Sequence, residues 1–218
     1  MRQSIILGTG GHCRVIASLL AANHEANIVG ILDLATHVPN EKILNIPVIG
    51  SVCYLEDVKD QSQTDVYLAI GDNKMRRSWY YKVKEMGFSL PNLLAKSAIV
   101  DRDAHLGEAN VICPFAYIGP EAVLGNNNLV NTGAILEHEV KVGSHCHIAP
   151  SSVVAGRTSI GDYTFLGAGS VIVDRIQISS QTVIGAGATV IKSIECSGGT
   201  FVGTPARLLF QIDCILNE

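Results

Sequence analysis

The residues best suited to acid–base chemistry lie together in the second half of the sequence, where Glu137, His138 and Glu139 are consecutive. An imidazole beside a carboxylate can act as a general base, because the neighbouring negative charge raises its basicity. The same triplet could equally be a solvated surface segment without a chemical role. Spacing alone leaves both interpretations open and favours an outward-facing His138.

Two further histidines, His145 and His147, flank a cysteine, Cys146. A thiol beside imidazoles can be a nucleophile, and three histidines can hold a zinc ion across a trimer interface, as in β-helix carbonic anhydrases. The spacings of seven and two residues among His138, His145 and His147 differ from those of such enzymes, and we expect no metal. Either of His145 and His147 could instead be a corner residue in a polar edge.

A glycine-rich turn, Gly8-Thr9-Gly10-Gly11-His12, lies between an apolar run and a segment with helical spacing. Backbone N–H groups at such a helix start can bind phosphate, and Asp33 follows the next apolar run, where a dinucleotide-binding fold would bind a ribose. Cys13 replaces the third glycine of the dinucleotide motif. A full dinucleotide site, a phosphate or nucleotide contact and a structural turn all remain open, and His12 favours a ligand.

Composition limits the possible partners. The 218 residues carry a net charge of −4 and a pI near 6.0, and no basic stripe suggests a nucleic-acid partner. No apolar run reaches the roughly 18 residues of a membrane span, and the start is too short for a signal peptide. Six cysteines without a CxxC pair predict reduced, mostly buried thiols in a cytoplasmic protein.

The elements that position the histidines belong to a six-residue repeat. Every sixth residue from Val100 to Val190 is aliphatic over sixteen consecutive positions, usually with a small residue two positions earlier and often with glycine one position later. This pattern predicts short strands joined by tight corners, three to a coil, so that residues 18 apart stack at about 4.8 Å. A β-sandwich would not hold so regular a register, because its strands vary in length.

The predicted coil has consequences for the candidate residues. Gly156, 18 positions after His138, would stack on it and leave open space and a free N–H beside the imidazole. His147 is half a coil from His138, so the two would meet only across a subunit contact. Cys146 falls among the small inward residues, which favours a buried thiol over a nucleophile.

The first 95 residues lack this repeat. Apolar segments at 4–8, 28–32 and 65–70 alternate with helical patterns at 13–22 and from 73 to about 87, and 46–50 is a short strand or turn. The predicted fold class is α/β plus β. A small Rossmann-like βαβαβ domain over 1–95 precedes a left-handed parallel β-helix of hexapeptide repeats over 96–218, whose tail from Phe201 closes the last coil.

The hexapeptide pattern resembles that of left-handed β-helix acyltransferases. Nearly the whole chain is similar to the sialic acid O-acetyltransferase and nucleotide-sugar N-acetyltransferase family. The residues that carry this resemblance are 8–12, 46–50, 69–73, Asn131, 137–139, His147, 155–156 and 201–206.

The resemblance implies a homotrimer with active sites between neighbouring β-helices, acetyl-CoA along the coils and a nucleotide sugar held by the amino-terminal domain. It makes His138 the general base, Glu139 or Glu137 its supporting carboxylate and Asn131 a neighbour of the reaction centre. The implied acetyl-CoA contacts are His147, Gly156, Ala168 and Ala186. The implied nucleotide-sugar contacts are Gly10, Gly11, His12, Asp33, Leu34 and Gly50. Leu34 departs from the family, where a polar residue is frequent, and Ala186 replaces a frequent glycine.

We therefore expect transfer of acetyl from acetyl-CoA to the amine of a nucleotide-linked amino sugar, of the 4-amino-4,6-dideoxy type, by direct attack. An O-acetyltransferase acting on a sialic-acid-type sugar is the alternative enzyme. A sugar-nucleotide-binding protein without activity is the alternative outside catalysis. Neither nucleic acid nor membrane is an expected partner.

Overall fold

The computed structural model describes residues 2–22, 27–35 and 40–211. The chain folds into two units, Met1–Lys96 and Ser97–Glu218. The predicted fold class is confirmed: an α/β unit and a left-handed parallel β-helix. Within the described residues, no helix is long and apolar enough to cross a membrane.

The first unit is built on a five-stranded sheet in the order β3-β4-β2-β1-β5, parallel except for the β3–β4 pair. Two short 3₁₀ helices, and not an α-helix, connect β4 to β5. The elements are β1 (Gln3–Leu7), α1 (Gly11–Ala22), β2 (Asn27–Asp33), β3 (Lys42–Ile43), β4 (Ile46–Ser51), the 3₁₀ segments Val52–Asp57 and Gln61–Gln63, β5 (Thr64–Leu68), α2 (Asn73–Glu85) and β6 (Leu93–Leu94).

The helices of this unit follow from local sequence signals. In α1, Cys13, Ile16, Ala17 and Leu20 recur at helical spacing and are buried. Helix α2 is capped at its N-terminus by Asp72, whose carboxylate accepts the Met75 N–H at 2.7 Å. The core of the unit includes β1, which lies between β2 and β5 and is buried from its second residue onward. Because β1, β2 and β5 run parallel to one another, their carboxyl ends meet at one edge of the sheet.

The second unit is a coil of sixteen two-residue strands followed by a hairpin, as the repeat predicts. The strands are β7 (Ile99–Val100), β8 (His105–Leu106), β9 (Val111–Ile112), β10 (Tyr117–Ile118), β11 (Val123–Leu124), β12 (Leu129–Val130), β13 (Ile135–Leu136), β14 (Lys141–Val142), β15 (His147–Ile148), β16 (Val153–Val154), β17 (Ser159–Ile160), β18 (Phe165–Leu166), β19 (Val171–Ile172), β20 (Gln177–Ile178), β21 (Val183–Ile184), β22 (Thr189–Val190), β23 (Gly199–Val202) and β24 (Arg207–Gln211).

Each strand from β7 to β19 pairs in parallel with the strand 18 residues later, as in Ile135 with Val153. The second residue of every strand from β9 to β22 is buried, and these are the aliphatic repeat positions. Those of the first coil, Val100 and Leu106, are half-buried. From position 212 onward, the predicted closing segment and Cys214 lie outside the described residues.

The corners between strands share one backbone conformation. Every sixth residue from Ala109 to Gly187 has φ between 56° and 66°, although most are not glycine. This left-handed conformation lets its N–H reach the preceding coil: the Glu139 N–H donates to the Pro120 carbonyl at 2.9 Å, and the Arg157 N–H to the His138 carbonyl at 3.0 Å. The frequent glycine after the aliphatic position has a steric cause, since an added Cβ at Gly167 would lie 2.5 Å from the Ala186 nitrogen.

Polar side chains interrupt the small inward column and hydrogen-bond from coil to coil. The Asn128 amide accepts the Cys146 N–H at 2.7 Å and donates to the Gly143 carbonyl at 2.9 Å, and Asn110 accepts the Asn128 N–H at 2.9 Å. Both asparagines are buried. They satisfy interior backbone groups that would otherwise have no partner, a role that apolar patterning does not reveal.

The cysteines of the described residues divide by exposure: Cys13, Cys113 and Cys146 are buried, whereas Cys53 and Cys196 are exposed. Burial raises the pKa of the Cys13 and Cys113 thiols to about 11. The Cys146 thiol donates to the Gly161 carbonyl at 3.2 Å. These three buried thiols are therefore parts of the core, as predicted for Cys146.

We predict that Asn128→Ala lowers the free energy of unfolding by about 2–4 kcal/mol, because the Cys146 N–H and the Gly143 carbonyl lose their interior partner. Asn126→Ala is the matched control. Asn126 accepts the Glu108 N–H at a corner where water can replace it, so its loss is expected to cost under about 1 kcal/mol. Urea unfolding followed by circular dichroism measures both variants, and equal losses would contradict the prediction.

Candidate active site

His138 and Glu139 are the two central residues of the corner between β13 and β14. Glu139 takes the left-handed conformation, with φ 60°, and its Oε2 lies 2.9 Å from the His138 Nδ1. An ionised carboxylate only accepts hydrogen bonds, so this contact places the proton on Nδ1 and leaves the lone pair on Nε2. The imidazole is 49% exposed and points outward, and of the two flanking carboxylates Glu139 is the one in contact with it.

Arg157 holds the same carboxylate from the next coil. Its Nε donates to the Glu139 Oε2 at 2.9 Å, the oxygen that also faces His138. The hydrogen bonds from His138 and Arg157 hold the pKa of the Glu139 carboxyl below its ordinary value. Sequence reasoning missed Arg157, although its position 18 residues after Glu139 was a usable signal.

Gly156 lies directly against the imidazole. A Cβ built at Gly156 would stand 2.5 Å from both the Cε1 and the Nε2 of His138. The predicted stacking of these two residues is present, but the imidazole itself fills the space that the glycine leaves. The side chain of His138 therefore depends on the absence of a side chain one coil later.

The Gly156 N–H differs from its counterparts at another corner. There, the Asn126 N–H donates to the Ser144 hydroxyl, and the Ser144 N–H to the Asp162 carboxylate, each one coil later. The residue that follows Gly156 by one coil, Asp174, directs its carboxylate toward Arg175 at 3.8 Å. Among the described residues the Gly156 N–H has no hydrogen-bond partner.

A second cluster forms at the preceding corner, where Asn131 follows β12. Its Oδ1 accepts the Thr132 N–H at 2.8 Å, which orients the amide so that its Nδ2 lies 3.3 Å from the His147 Nε2. The Phe165 ring meets the His147 ring edge-on, with centroids 5.1 Å apart. Phe165, which sequence reasoning also missed, lies 18 residues after His147 and forms one wall of this cluster.

The two clusters occupy different corners of the β-helix. Asn131 lies before β13 and His138 after it, so one chain does not bring these side chains together. Ala168 and Ala186 are exposed and share the corner column of Thr132, two and three coils later. The predicted set is thus divided, with His138, Glu139 and Gly156 on one corner and the other four residues at or near the second.

His145 belongs to neither cluster. Its side chain is buried, its Nδ1 lies 2.8 Å from the Asn127 amide nitrogen, and its ring stacks on Tyr163 at 5.3 Å. This arrangement agrees with the structural interpretation of that histidine. No group of three or more metal-binding side chains occurs within the described residues.

The glycine-rich turn forms a separate site in the first unit. Gly8 has φ 115°, and a Cβ there would lie 2.9 Å from the Ala69 carbonyl oxygen, so glycine is required. The Thr9 hydroxyl donates to the Asp33 Oδ2 at 2.6 Å, and the other carboxylate oxygen accepts the Ala35 N–H at 2.8 Å. A Cβ at Gly10 or Gly11 would meet no atom within 4 Å, so the turn is open to a ligand.

His12 is held neutral at the start of α1. Burial, followed by the charge of Arg76, lowers its pKa to about 4, and its Nε2 is enclosed without a hydrogen-bond partner in the described part of the chain. Arg76 is itself buried and donates to the Ile70 and Gly71 carbonyls and to the Asn73 side chain at 2.9–3.2 Å. Sequence reasoning missed Arg76, because no regular spacing in the sequence relates it to His12.

Leu34 and Gly50 lie near Asp33. Leu34 follows β2 and is half-buried, and Gly50 pairs with Leu32 across β2 and β4. A Cβ at Gly50 would make ordinary contact, 3.7 Å from the Tyr54 Cβ. The candidate nucleotide-sugar residues therefore share the edge formed by the strand carboxyl ends, where parallel α/β sheets bind ligands.

Two cavities lie elsewhere in the second unit. One of about 350 Å³ lies beside β22 and the β23–β24 hairpin, and one of about 650 Å³ lies on the face of β14, β17 and β20. None of the candidate site residues lines either cavity.

Comparison with known proteins gives one family match in each unit. The PglD N-terminal domain family matches residues 3–83, and the bacterial transferase hexapeptide family matches residues 121–156. The acetyltransferase domain of PglB from Neisseria gonorrhoeae is 31% identical, with a TM-score of 0.89 over 96% of this chain and 100% of that one. The chain belongs to the hexapeptide-repeat acetyltransferases. The family prediction is confirmed.

Other solved structures give the same assignment. GDP-perosamine N-acetyltransferase from Caulobacter crescentus, as a histidine-to-alanine mutant in complex with CoA and GDP-perosamine, is 31% identical, with a TM-score of 0.89 over 94% of this chain and 96% of that one. WeeI from Acinetobacter baumannii, 18% identical with a TM-score of 0.66 over 96% of this chain and all of that one, shares the fold. Comparison with proteins of curated function gives no match.

We predict that Gly156→Ala reduces acetyl transfer by about 100-fold or more while leaving thermal stability nearly unchanged. The new methyl group would displace the His138 ring, and misplacement of a catalytic group by about 1 Å costs this much. The backbone tolerates alanine, since Ala168 and Ala186 occupy the equivalent corner position. Asp174→Ala, one coil later in the same column, is the control and should retain activity within about twofold. An active Gly156→Ala enzyme would contradict this placement.

We also predict a pH-dependent contribution of His12 to stability. The unfolded chain binds a proton with the ordinary His pKa of 6.5, whereas the folded chain resists protonation until about pH 4. The contribution is therefore fully present above pH 6.5 and is lost as the pH falls toward 4. Urea unfolding of His12→Gln at pH 7.5, 6 and 5 should show a shallower decline than the wild-type protein, by about 1–3 kcal/mol. His105→Gln, at an exposed histidine, is the control, and parallel curves for wild type and His12→Gln would contradict the prediction.

Proposed function

We propose that this protein transfers the acetyl group of acetyl-CoA to the amine of a nucleotide-linked amino sugar, with His138 as the general base. The observation that carries the proposal is the outward imidazole of His138, oriented by Glu139 and lying against Gly156. This arrangement leaves the half-exposed imidazole with an unprotonated Nε2 at a corner where the neighbouring coil has glycine in place of a side chain.

The class of enzyme is supported by relatives of known activity. Structures of relatives about 30% identical contain acetyl-CoA, or CoA together with GDP-perosamine. An acetyl-CoA-dependent sugar N-acetyltransferase is therefore the confirmed class, with acetyl-CoA as co-substrate. The identity of the base, the sugar and its amine position belong to the proposal, in which the acceptor is a 4-amino-4,6-dideoxy sugar.

The proposed reaction is a direct transfer. The sugar amine attacks the thioester carbonyl carbon, the His138 Nε2 takes the proton that the nitrogen loses, and the C–S bond breaks to release CoA as a thiolate, which the imidazolium can reprotonate. Many amines are partly neutral near pH 8, so the base removes a proton during attack, a task worth roughly 10²–10⁴-fold. The buried thiol of Cys146 is not available for an acyl-enzyme intermediate.

Backbone and amide donors would stabilise the oxyanion. The Gly156 N–H has no partner in the described residues and adjoins the proposed base, and such a donor is typically worth about 10²–10³ in rate. Asn131, oriented by Thr132, and His147 form the second group that we assign to the reaction centre and the thioester. We assign Ala168 and Ala186 to acetyl-CoA, since they present small exposed side chains along the same corner.

We assign the nucleotide sugar to the edge formed by Gly10, Gly11, His12 and Asp33, with Leu34 and Gly50 beside it. The open turn at the start of α1 offers N–H groups to phosphate, and Asp33 is anchored by Thr9 and Ala35 to accept ribose hydroxyls. Neutral His12 adds a polar group at this edge, and the buried charge of Arg76 makes the potential there more favourable for an anion.

We further propose that the protein is a homotrimer. The outward residues of β7, β10, β13, β16 and β19 are all apolar: Ile99, Tyr117, Ile135, Val153 and Val171. An apolar column of this length favours burial against another copy, and it lies between the Asn131 and His138 corners. Packing there would bring one copy's His138 corner toward another copy's Asn131 corner. The cytoplasmic location stays a prediction.

The test is a panel of acceptors assayed with acetyl-CoA, with free thiol release and product mass as readouts. We expect acetylation of nucleotide-linked 4-amino-4,6-dideoxy sugars and no turnover of sialic acids. His138→Ala should lower kcat by about 10²–10⁴-fold with unchanged melting temperature and oligomeric state.

His105→Ala, at an exposed histidine outside the proposed site, is the matched control and should keep full activity. A loss below about tenfold in His138→Ala would remove His138 from the base role. Acetylation of sialic acids in place of amino sugars would overturn the acceptor assignment.

A further inference from the structure

We infer that Arg157 is a positioning residue for the His138–Glu139 pair: it clamps the Glu139 carboxylate from the next coil and so fixes the imidazole that the carboxylate orients. This inference rests on the proposed function, in which His138 is the base. It goes beyond that proposal by adding a residue that does not touch the substrate. The juxtaposition that carries it is one carboxylate oxygen shared by Arg157 Nε and His138 Nδ1, each at 2.9 Å.

The shared oxygen needs a second donor to stay in place. Glu139 is 40% exposed, and a flexible carboxylate at the surface gains little from one hydrogen bond to a neutral imidazole. The guanidinium adds a charge-assisted hydrogen bond, which is stronger than a bond between neutral groups. Arg157 therefore restricts Glu139 to the rotamer in which its Oε2 faces His138.

The coil geometry makes the clamp specific. Residues 139 and 157 are successive members of one corner column, both in the left-handed conformation, and the Arg157 N–H donates to the His138 carbonyl at 3.0 Å. The backbone of Arg157 is thus hydrogen-bonded to that of His138, while its side chain is hydrogen-bonded to the Glu139 carboxylate. Gly156, immediately before it, gives the imidazole its room, so adjacent residues of one corner provide the space and the clamp.

The positive charge of Arg157 also offsets part of the negative charge that Glu139 places beside His138. The carboxylate favours the protonated imidazole, and a guanidinium bonded to the same oxygen opposes that effect. The other ionisable groups nearest in the corner column and on the adjoining segments are Glu121, Glu137, Lys141, Asp174 and Arg175.

The test compares Arg157→Gln, Arg157→Lys and the control Arg175→Gln in the full-length enzyme. Arg175 is the next member of the same column, equally cationic and more exposed, and it pairs with Asp174. We expect Arg157→Gln to lower kcat by about tenfold with both KM values changed less than threefold, because a positioning group acts on the base and not on binding. Arg175→Gln should leave kcat unchanged.

The pH profile distinguishes positioning from a general structural role. Removal of the guanidinium should move the acid limb of kcat/KM to higher pH by about half a unit, since the imidazolium is then opposed by one fewer cation. Arg157→Lys retains the charge and should restore the limb while recovering only part of kcat. Glu139→Gln should move the limb in the opposite direction.

Two outcomes would overturn the inference: an Arg157→Gln enzyme with wild-type kcat and pH profile, or one whose loss is matched by Arg175→Gln or by a fall in melting temperature. The failure of the proposed function is a different result. If His138→Ala retains activity, His138 is not the base, whereas an inactive His138→Ala enzyme beside a fully active Arg157→Gln enzyme rejects the clamp alone.

Discussion

The hydrogen-bond register that stacks each residue on the residue 18 positions later is the constraint on which the β-helix and its candidate active site both depend. Corner residues in the left-handed conformation donate their backbone N–H groups to carbonyls of the preceding coil, and these hydrogen bonds set the distance between coils. At one corner the same hydrogen bonds place Gly156 against the His138 ring and Arg157 beside Glu139. The geometry of the candidate site is therefore fixed by the same bonds that hold the fold, and a one-residue slip would lose both.

The periodic parts of this chain were predictable from sequence, because a fixed period converts chain position into spatial position. The aliphatic interior, the stacking of Gly156 on His138 and the buried thiol of Cys146 all follow from counting in steps of six and eighteen. Asn128 escaped this reasoning, because an interior amide is indistinguishable by pattern from a surface one. In the first unit, Arg76 approaches His12 through tertiary folding, and no spacing in the sequence encodes such a contact.

The candidate residues are divided between two corners, and the apolar sheet face lies between these corners. His138 and Asn131 flank β13, whose outward residue Ile135 belongs to the apolar column. A face of this kind stabilises contact between copies through hydrophobic burial, and it needs no polar specificity of its own. In the proposed assembly, the charged and hydrogen-bonding groups are concentrated at the corners that border this face, where a polar substrate would be held.

In the proposed reaction, the placement of His138 matters more than its basicity. A sugar amine that is partly neutral at cellular pH is already a competent nucleophile, so the base must be within reach and correctly oriented during attack. Glu139 supplies the orientation by fixing the Nδ1 proton, and Gly156 permits the ring to lie against the next coil. A rigid β-helix provides both at a surface corner without burying the imidazole.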